Sequence, residues 1–281
     1  MWPLSVLATV FLASRFAVRM SSKGRLMLND YFLVAGLPIF FIGAGLVQSV
    51  LPFLYEQHAL ATNRHAGKIL RRLPAAIEML WITIYCVKFC FLAQFKFHKP
   101  PYAYVSVHLT RYYWAVVSIC SASFIVTLVQ PLVLCSKSET CRYFQATGTA
   151  GWEIAVTSID ILTDLLVISI PILLIYMANF TRSHTIINTS FKSLSVFSIA
   201  IATTRLALQY DRDARRIDYI VMVFFLFTEA VVALVMASIS SYRTVILDKL
   251  VEWRTTRGTN VKLTTPRDLS RTALNPGSDL G

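Results

Sequence analysis

The sequence predicts an all-α protein built around a bundle of seven transmembrane helices. The chain of 281 residues is 56% hydrophobic and only 15% charged, whereas soluble domains are about 45–50% apolar and about 25% charged. Its apolar residues gather in runs long enough to cross a bilayer, which takes about 20 residues of helix. The basic residues lie mostly between these runs. The net charge of +12 therefore indicates membrane orientation and lipid headgroups as partners, and not nucleic acid.

The first three spans carry basic groups at the end of the first one and inside the third. Arg15 and Arg19 close the first apolar run, and we expect them to extend to the membrane interface. The alternatives are a truncated start, or no true span there. Pro38 and several glycines in the second span permit bending and close helix packing. The third span has Glu78 near one end and Lys88 deep inside.

The later spans are marked by breaks in the apolar pattern and by further charges. The Pro-Pro pair at residues 100 and 101 ends any helix before the fourth span. The fifth span contains Asp160, Asp164 and Pro171, the sixth ends near Arg205, and the seventh holds Glu229 near its middle. The predicted spans, within a membrane domain of residues 1–243, are about 2–18, 31–54, 75–95, 112–134, 154–177, 194–208 and 219–240.

Residues 244–281 are predicted to form a juxtamembrane amphipathic helix followed by a disordered cytoplasmic tail. Val245, Ile246, Leu250 and Trp253 have helical spacing, and the rest is polar with Pro and Gly. Lys and Arg are more numerous on the side of the first connector and the tail. This bias predicts an outside N-terminus and a cytoplasmic C-terminus. It does not distinguish the plasma membrane from an endomembrane.

The five cysteines do not have the spacing of a metal site, so no metal ion is expected. Cys135 and Cys141 flank a short polar loop. They are a candidate disulfide if that loop lies outside the cytoplasm.

Five charged residues form the predicted buried set, with Glu78 and Glu153 nearer the span ends. A charge at membrane depth is costly and usually faces a partner, the bundle interior or water. Asp160 and Asp164 are four residues apart and so share one helix face. One interpretation is structural: Lys88 pairs with Asp164 or Glu229 and holds the helices in register. The other is that these groups line a ligand cavity between spans three, five, six and seven. The residues are Lys88, Asp160, Asp164, Arg205 and Glu229.

Six motifs follow one another along the chain: LNDYFLVAG, NRHAGK, YCVKFCFLAQFKF, IDILTDLLVISIP, TTRLAL and DYIVMVFFLFTEA. Their order and spacing resemble the fungal rhodopsin-domain family of seven-span integral membrane proteins. That family includes receptor-like proteins and membrane proteins encoded in secondary-metabolite gene clusters. The fifth-span motif matches at Asp164 and Pro171 but has Asp160 in place of Asn, and Asn29 replaces the first acid of the second-span motif.

The resemblance implies a receptor-like protein, or an accessory to secondary-metabolite biosynthesis, that binds a lipophilic small molecule. Retinal proteins need a Lys on the seventh span, which this chain lacks, so neither retinal nor another cofactor is expected. The alternative is a membrane-bound, cyclase-like enzyme acting on a lipophilic metabolite. A carboxylic acid kept neutral by its apolar site would donate the proton, and the candidates are Asp160, Asp164 and Glu229. Which protein partner binds, if any, is not predicted.

Overall fold

The structure is a computed structural model that describes residues 2–23, 28–60, 66–97, 107–134, 149–178, 197, 199–208, 210–211 and 216–239. These residues lie in one compact unit, Met1–Ser240. The first five helices are α1 (Trp2–Lys23), α2 (Leu28–Leu60), α3 (Ala66–Phe97), α4 (Val107–Leu134) and α5 (Thr149–Ala178). Two shorter ones follow, α6 (Ile199–Leu208) and α7 (Tyr219–Ile239). Between them the two-residue strands β1 (Tyr210–Asp211) and β2 (Arg216–Ile217) pair antiparallel. The predicted all-α class is confirmed.

Six helices are long and apolar enough to cross a membrane, so the protein is a multi-pass membrane protein. Their membrane-compatible segments are Trp2–Ser21, Leu28–Pro52, Arg72–Phe95, Val107–Pro131, Gly151–Leu173 and Tyr219–Ile239. The helix at the predicted sixth span has 10 described residues, Ile199–Leu208, and falls below that length. Most of the residues just before it lie outside the described part of the chain. That this segment spans the membrane therefore stays a prediction.

Several helices extend beyond the predicted spans. α2 continues past Pro52 to Leu60, and α3 begins at Ala66, well before Pro74. The sequence analysis assigned most of this region to a connector. Hydropathy reports where the apolar segment ends, but a helix can continue in water as long as its backbone hydrogen bonds are made, so the two limits differ.

Helices α4 and α5 run antiparallel. Gln130, near the end of α4, donates a hydrogen bond to Glu153, near the start of α5, with 2.7 Å between Nε2 and Oε1. At the opposite end of the bundle, Tyr112 near the start of α4 shares a hydrogen bond with Ser169 near the end of α5. We call the end at which α3, α5 and α7 begin face A, and the end at which they finish face B.

Two buried apolar clusters hold the described helices together. The larger joins α1, α2, α3 and α7 and includes Val156 of α5, and the smaller joins α3, α4 and α5. α2 and α3 are close enough that a Cβ added at Gly43 would lie 3.1 Å from the Cβ of Met79. Large apolar side chains such as Leu162 and Leu165 are exposed on the outer surface, as expected where hydrocarbon is the solvent.

Arg15 and Arg19 do not extend to the membrane interface, so that prediction is wrong. Arg15 is 1% exposed and Arg19 is 2% exposed. Arg15 Nη2 lies 2.8 Å from Asp30 Oδ1, and Arg15 also donates to the backbone carbonyl of Ala237 near the end of α7. Arg19 pairs with Asp30 and donates to Asn29. Asp30, at the start of α2, offers an opposite charge inside the bundle, which makes burial of both guanidinium groups tolerable.

Some predictions concern residues outside the described part of the chain. They are the candidate disulfide between Cys135 and Cys141 and the amphipathic helix and tail of residues 244–281. Each stays a prediction, and so does the orientation of the termini.

Candidate functional site

Five charged side chains from four helices meet near the middle of the bundle, and we call them the central network. They are Lys88 of α3, Asp160 and Asp164 of α5, Arg205 of α6 and Glu229 of α7. The structure thus brings together all five residues that the sequence analysis singled out as a buried charge set.

Lys88 holds the α5 side of the network. Its Nζ lies 2.7 Å from Asp160 Oδ1 and 2.8 Å from Asp164 Oδ1. It also donates to Thr163 Oγ1 at 2.8 Å and to the backbone carbonyl of Asp160 at 3.0 Å. An ammonium group has three protons to donate, so these acceptors use its full capacity.

Arg205 links the same network to α7. Its Nη2 lies 3.3 Å from Asp160 Oδ2, and its Nη1 lies 2.9 Å from Glu229 Oε2. The guanidinium carbon stands 4.6 Å from the centre of the Trp81 ring, a cation–π arrangement. Arg205 and Glu229 are 0% and 1% exposed. The network thus joins α3, α5, α6 and α7 through buried charges as well as through apolar contacts.

The helical repeat explains why α5 presents so many polar groups inward. Glu153, Thr157, Asp160 and Asp164 follow one another at intervals of four, three and four residues, which is the spacing of a single helix face. The first three are fully buried, and the Asp164 side chain is 13% exposed. The opposite face, with Leu162 and Leu165, is exposed and apolar. The helix thus has one polar side inside the bundle and one apolar side outside it.

The central network has unused hydrogen-bonding capacity among the residues that the structure describes. Neither carboxylate oxygen of Glu229 accepts a hydrogen bond, although one oxygen is in ion contact with Arg205. Arg205 Nε and Trp81 Nε1 have no acceptor. Buried polar atoms are nearly always paired with protein or with ordered water. These atoms therefore mark a place where water or a polar ligand group can bind.

The network is also rich in acid. Carboxylate atoms of Asp160, Asp164 and Glu229 all lie within 4.8 Å of one another, and two cations face these three acids. Such a carboxylate set is chemically suited to a hard divalent ion. Lys88 and Arg205 already supply positive charge to all three groups, however. The expectation of no metal stays a prediction.

A second polar layer lies towards face A. Gln130 donates to Glu153, and Glu78 interacts electrostatically with Glu153. The sequence analysis noted Glu78 and Glu153 near the span ends but missed Gln130 and Thr157. It also missed Trp81. For Thr157 a signal was available, because it completes the inward face of α5; Gln130 and Trp81 become visible only when the helices are placed side by side.

An apolar groove of about 330 Å³ lies between the end of α2 and the start of α7. It is formed by apolar and aromatic side chains, which suits a hydrocarbon body. Phe225 in its wall precedes Glu229 by one helical turn. The lining residues are Leu51, Tyr55, Ile220, Val221, Phe224 and Phe225.

Comparison of the chain with protein-family models, with curated proteins and with solved structures finds no match in any of the three. The fold and the site by themselves define a class: a multi-pass helical membrane protein with an ion network buried in its bundle.

Proposed function

We propose that this protein is a receptor-like or accessory membrane protein that binds a lipophilic small molecule in its helical bundle, without retinal. The observation that carries the proposal is the unused hydrogen-bonding capacity of Glu229, Arg205 and Trp81 in the central network. A ligand with one polar group and an apolar body would supply the missing partner atoms. Few but well-placed polar groups in an apolar surround are typical of small-molecule sites.

The family assignment is part of the proposal. The motif resemblance supports a protein of the fungal rhodopsin-domain type, with a role beside secondary-metabolite biosynthesis or in sensing. The residues that depart from the family pattern, Asn29 and Asp160, both take part in buried ion clusters. Asn29 accepts a hydrogen bond from Arg19, so it fills the place of the missing acid without its charge.

The proposal is tested by identifying what co-purifies with the protein. The full chain is purified in a mild detergent, extracted with organic solvent and analysed by mass spectrometry. Glu229→Gln keeps the shape of the side chain but removes its charge, and Leu165→Ala on the outer surface is the matched control. We expect a small molecule with the unaltered protein and with the control, and a reduced amount with Glu229→Gln. No bound molecule, or equal amounts in all three, would contradict the proposal.

A membrane enzyme of the cyclase kind is a second candidate, and one observation favours it. Glu229 is a buried acid whose oxygens accept no hydrogen bond from the described residues. In its neutral form it could protonate an alkene or epoxide, and the carboxylate could take a proton back from the cyclised cation. Asp160 fits this role less well, because both Lys88 and Arg205 contact its carboxylate, whereas Asp164 and Glu229 each contact one cation among the described residues.

The two candidates are separated by profiling lipophilic metabolites after deletion of the gene in its native host. Accumulation of an uncyclised precursor, restored by the unaltered gene and not by Glu229→Gln, would favour the enzyme. An unchanged profile would favour the receptor-like protein. Asp160→Asn, which restores the family residue, should abolish turnover if Asp160 is the proton donor, and retained turnover would exclude that role.

A further inference from the structure

We infer that the central network is reached by water and by small organic cations from face A only, along a polar path between α3, α4 and α5. This inference rests on the proposed function, because the path leads to the same site. It adds that the ligand group bound there is positively charged. Four observations support it: a run of buried polar side chains on one helix, unpaired buried atoms, an apolar layer on the far side and an excess of acidic over basic residues.

The inward face of α5 forms the length of the path. Glu153, Thr157 and Asp160 are each fully buried. Seven residues of helix separate Glu153 from Asp160, which is a distance of about 10 Å at 1.5 Å per residue. Gln130 of α4 and Glu78 of α3 flank Glu153 at the outer end. Glu153, Thr157 and Asp160 therefore place polar side chains from near face A to the middle of the bundle, with buried Val156 at the edge of the same helix face.

Several polar atoms along this path have no partner among the described residues. Thr157 Oγ1 neither accepts nor donates a hydrogen bond within the described part of the chain. The hydroxyl of neighbouring Ser158, in contrast, donates to the backbone carbonyl of Ile154. Glu78 Oε1 and Trp81 Nε1 are likewise buried and unpaired. Buried water is found where two to four such polar groups can reach it. These three atoms, at successive depths of α3 and α5, are the partners that a file of water molecules would need.

Towards face B the same helices present an apolar layer. Val167 follows Asp164 by one turn of α5, and Leu92 follows Lys88 by one turn of α3. Tyr113 of α4 belongs to this layer, and its hydroxyl donates to the backbone carbonyl of Leu92 at 2.9 Å. The buried members of the layer are Leu92, Tyr113, Val116, Cys120, Val167 and Ile170. Apart from the Tyr113 hydroxyl and the weakly polar Cys120 thiol, the side chains of this layer offer water no hydrogen bonds, so the layer closes the path on that side.

The charges along the path select cations. Within the described residues it brings together five acidic and two basic side chains. The acids are Glu78, Glu153, Asp160, Asp164 and Glu229, and the bases are Lys88 and Arg205. A cleft of one charge sign with low-dielectric walls concentrates ions of the opposite sign. A protonated amine on an otherwise apolar molecule is the ligand group that this arrangement fits.

The test is the reaction of single cysteines with charged, membrane-impermeant thiol reagents in the full-length protein. The native cysteines are replaced by alanine, and one cysteine is placed at a time on α5. The three positions are Thr157 in the path, Leu162 on the outer surface, which is 53% exposed, and Val167 in the apolar layer. The variants are Thr157→Cys, Leu162→Cys and Val167→Cys. A trimethylammonium thiosulfonate and a sulfonate thiosulfonate are added to right-side-out and to inside-out vesicles. Each variant is first checked for monodispersity in detergent.

We expect Thr157→Cys to react in one vesicle orientation only, and at least about tenfold faster with the cationic reagent. Leu162→Cys and Val167→Cys should not react in either orientation. Absence of reaction at Thr157→Cys, reaction from both sides or equal rates with both reagents would overturn the inference. Reaction at Val167→Cys would also overturn it. If Thr157→Cys is not recovered folded, Gln130→Cys at the outer end of the path takes its place, with the same outcomes.

These results are independent of the ligand that co-purifies. If a small molecule co-purifies in a Glu229-dependent way but Thr157→Cys does not react, the inferred path is wrong and the proposed function stands. If Thr157→Cys reacts selectively with the cationic reagent but no molecule co-purifies, the path stands and the proposed function is wrong.

Discussion

Lys88 on α3 donates to Asp160 on α5 in the middle of the bundle, with 2.7 Å between Nζ and Oδ1. Their side chains are 5% and 0% exposed. The second oxygen of Asp160 faces Arg205 of α6, so one carboxylate joins three helices. A buried carboxylate with two cationic partners is stabilised by both, and its loss leaves two positive charges with fewer partners.

Asp160 should contribute more to stability than Asp164, although the two lie one turn apart. Asp160→Ala removes the contacts to Lys88 and Arg205, and we expect a loss of about 3–5 kcal/mol in the free energy of unfolding, as for other broken buried pairs. Asp164 is partly exposed and pairs with Lys88. In the Asp164→Ala variant, Lys88 still has the Asp160 carboxylate as a partner. Yield and thermal unfolding in one detergent compare the two variants. Equal losses would contradict this ranking, and normal yield of Asp164→Ala with lost activity would indicate a functional role for Asp164.

Asp30 should be essential for the fold at the α1–α2 contact. Asp30→Ala would leave the guanidinium groups of Arg15 and Arg19 buried without this carboxylate, and we expect a loss of about 3–5 kcal/mol. Arg72→Ala, at an exposed position of α3, is the control and should change stability by less than about 0.5 kcal/mol. The measurement is thermal unfolding followed by size-exclusion chromatography. An equally small effect of both changes would mean that the two arginines reach the membrane interface after all.

Gly43 and Gly45 provide a matched test of helix packing. A Cβ at Gly43 would lie 3.1 Å from the Cβ of Met79, whereas a Cβ at Gly45 meets nothing within 4 Å. Gly43→Ala should therefore destabilise the protein by about 1–3 kcal/mol through overpacking. Gly45→Ala should be neutral or stabilise it by up to about 1 kcal/mol through helix propensity. Thermal unfolding of both variants measures this, and the reverse order would contradict the close approach of α2 and α3.

The membrane-spanning helices could be predicted because their signal is contained in single segments. A run of apolar residues of sufficient length is enough to identify a span such as the one around Asp160. The ends of the helices could not be read in this way, since α2 and α3 continue beyond their apolar parts to Leu60 and from Ala66. Whether a helix continues there depends on local backbone hydrogen bonding, which hydropathy does not report.

The charged residues of the site could be listed from the sequence, but their partners could not. Lys88, Arg205 and Glu229 could be identified as site candidates because a charge at membrane depth needs an opposite charge or water nearby. The sequence analysis paired Lys88 with Asp164 or Glu229. In the structure Lys88 contacts Asp164 and Asp160, while Glu229 faces Arg205. Which helices lie side by side is a property of the whole bundle, and a single helix face does not encode it.

Arg15 illustrates the same limit. At the end of a short apolar run an arginine can either extend to the interface or turn inward to an acid. The choice depends on Asp30, which belongs to another helix, and on the carbonyl of Ala237 at the far end of the chain. Neither contact leaves a pattern in the sequence around Arg15.

The most direct test of the central network is a double-mutant cycle on Lys88 and Asp160. The free energy of unfolding is measured by denaturing-detergent titration for Lys88→Met, for Asp160→Asn, for the double variant and for the unaltered protein. We expect the double variant to lose about 1–3 kcal/mol less than the sum of the single losses, which is the coupling of residues in direct contact. Lys88→Met alone leaves the carboxylates of α5 without their ammonium group, and Asp160→Asn relieves part of that repulsion. Additivity to within about 0.5 kcal/mol would show that the two side chains do not interact and would contradict the account.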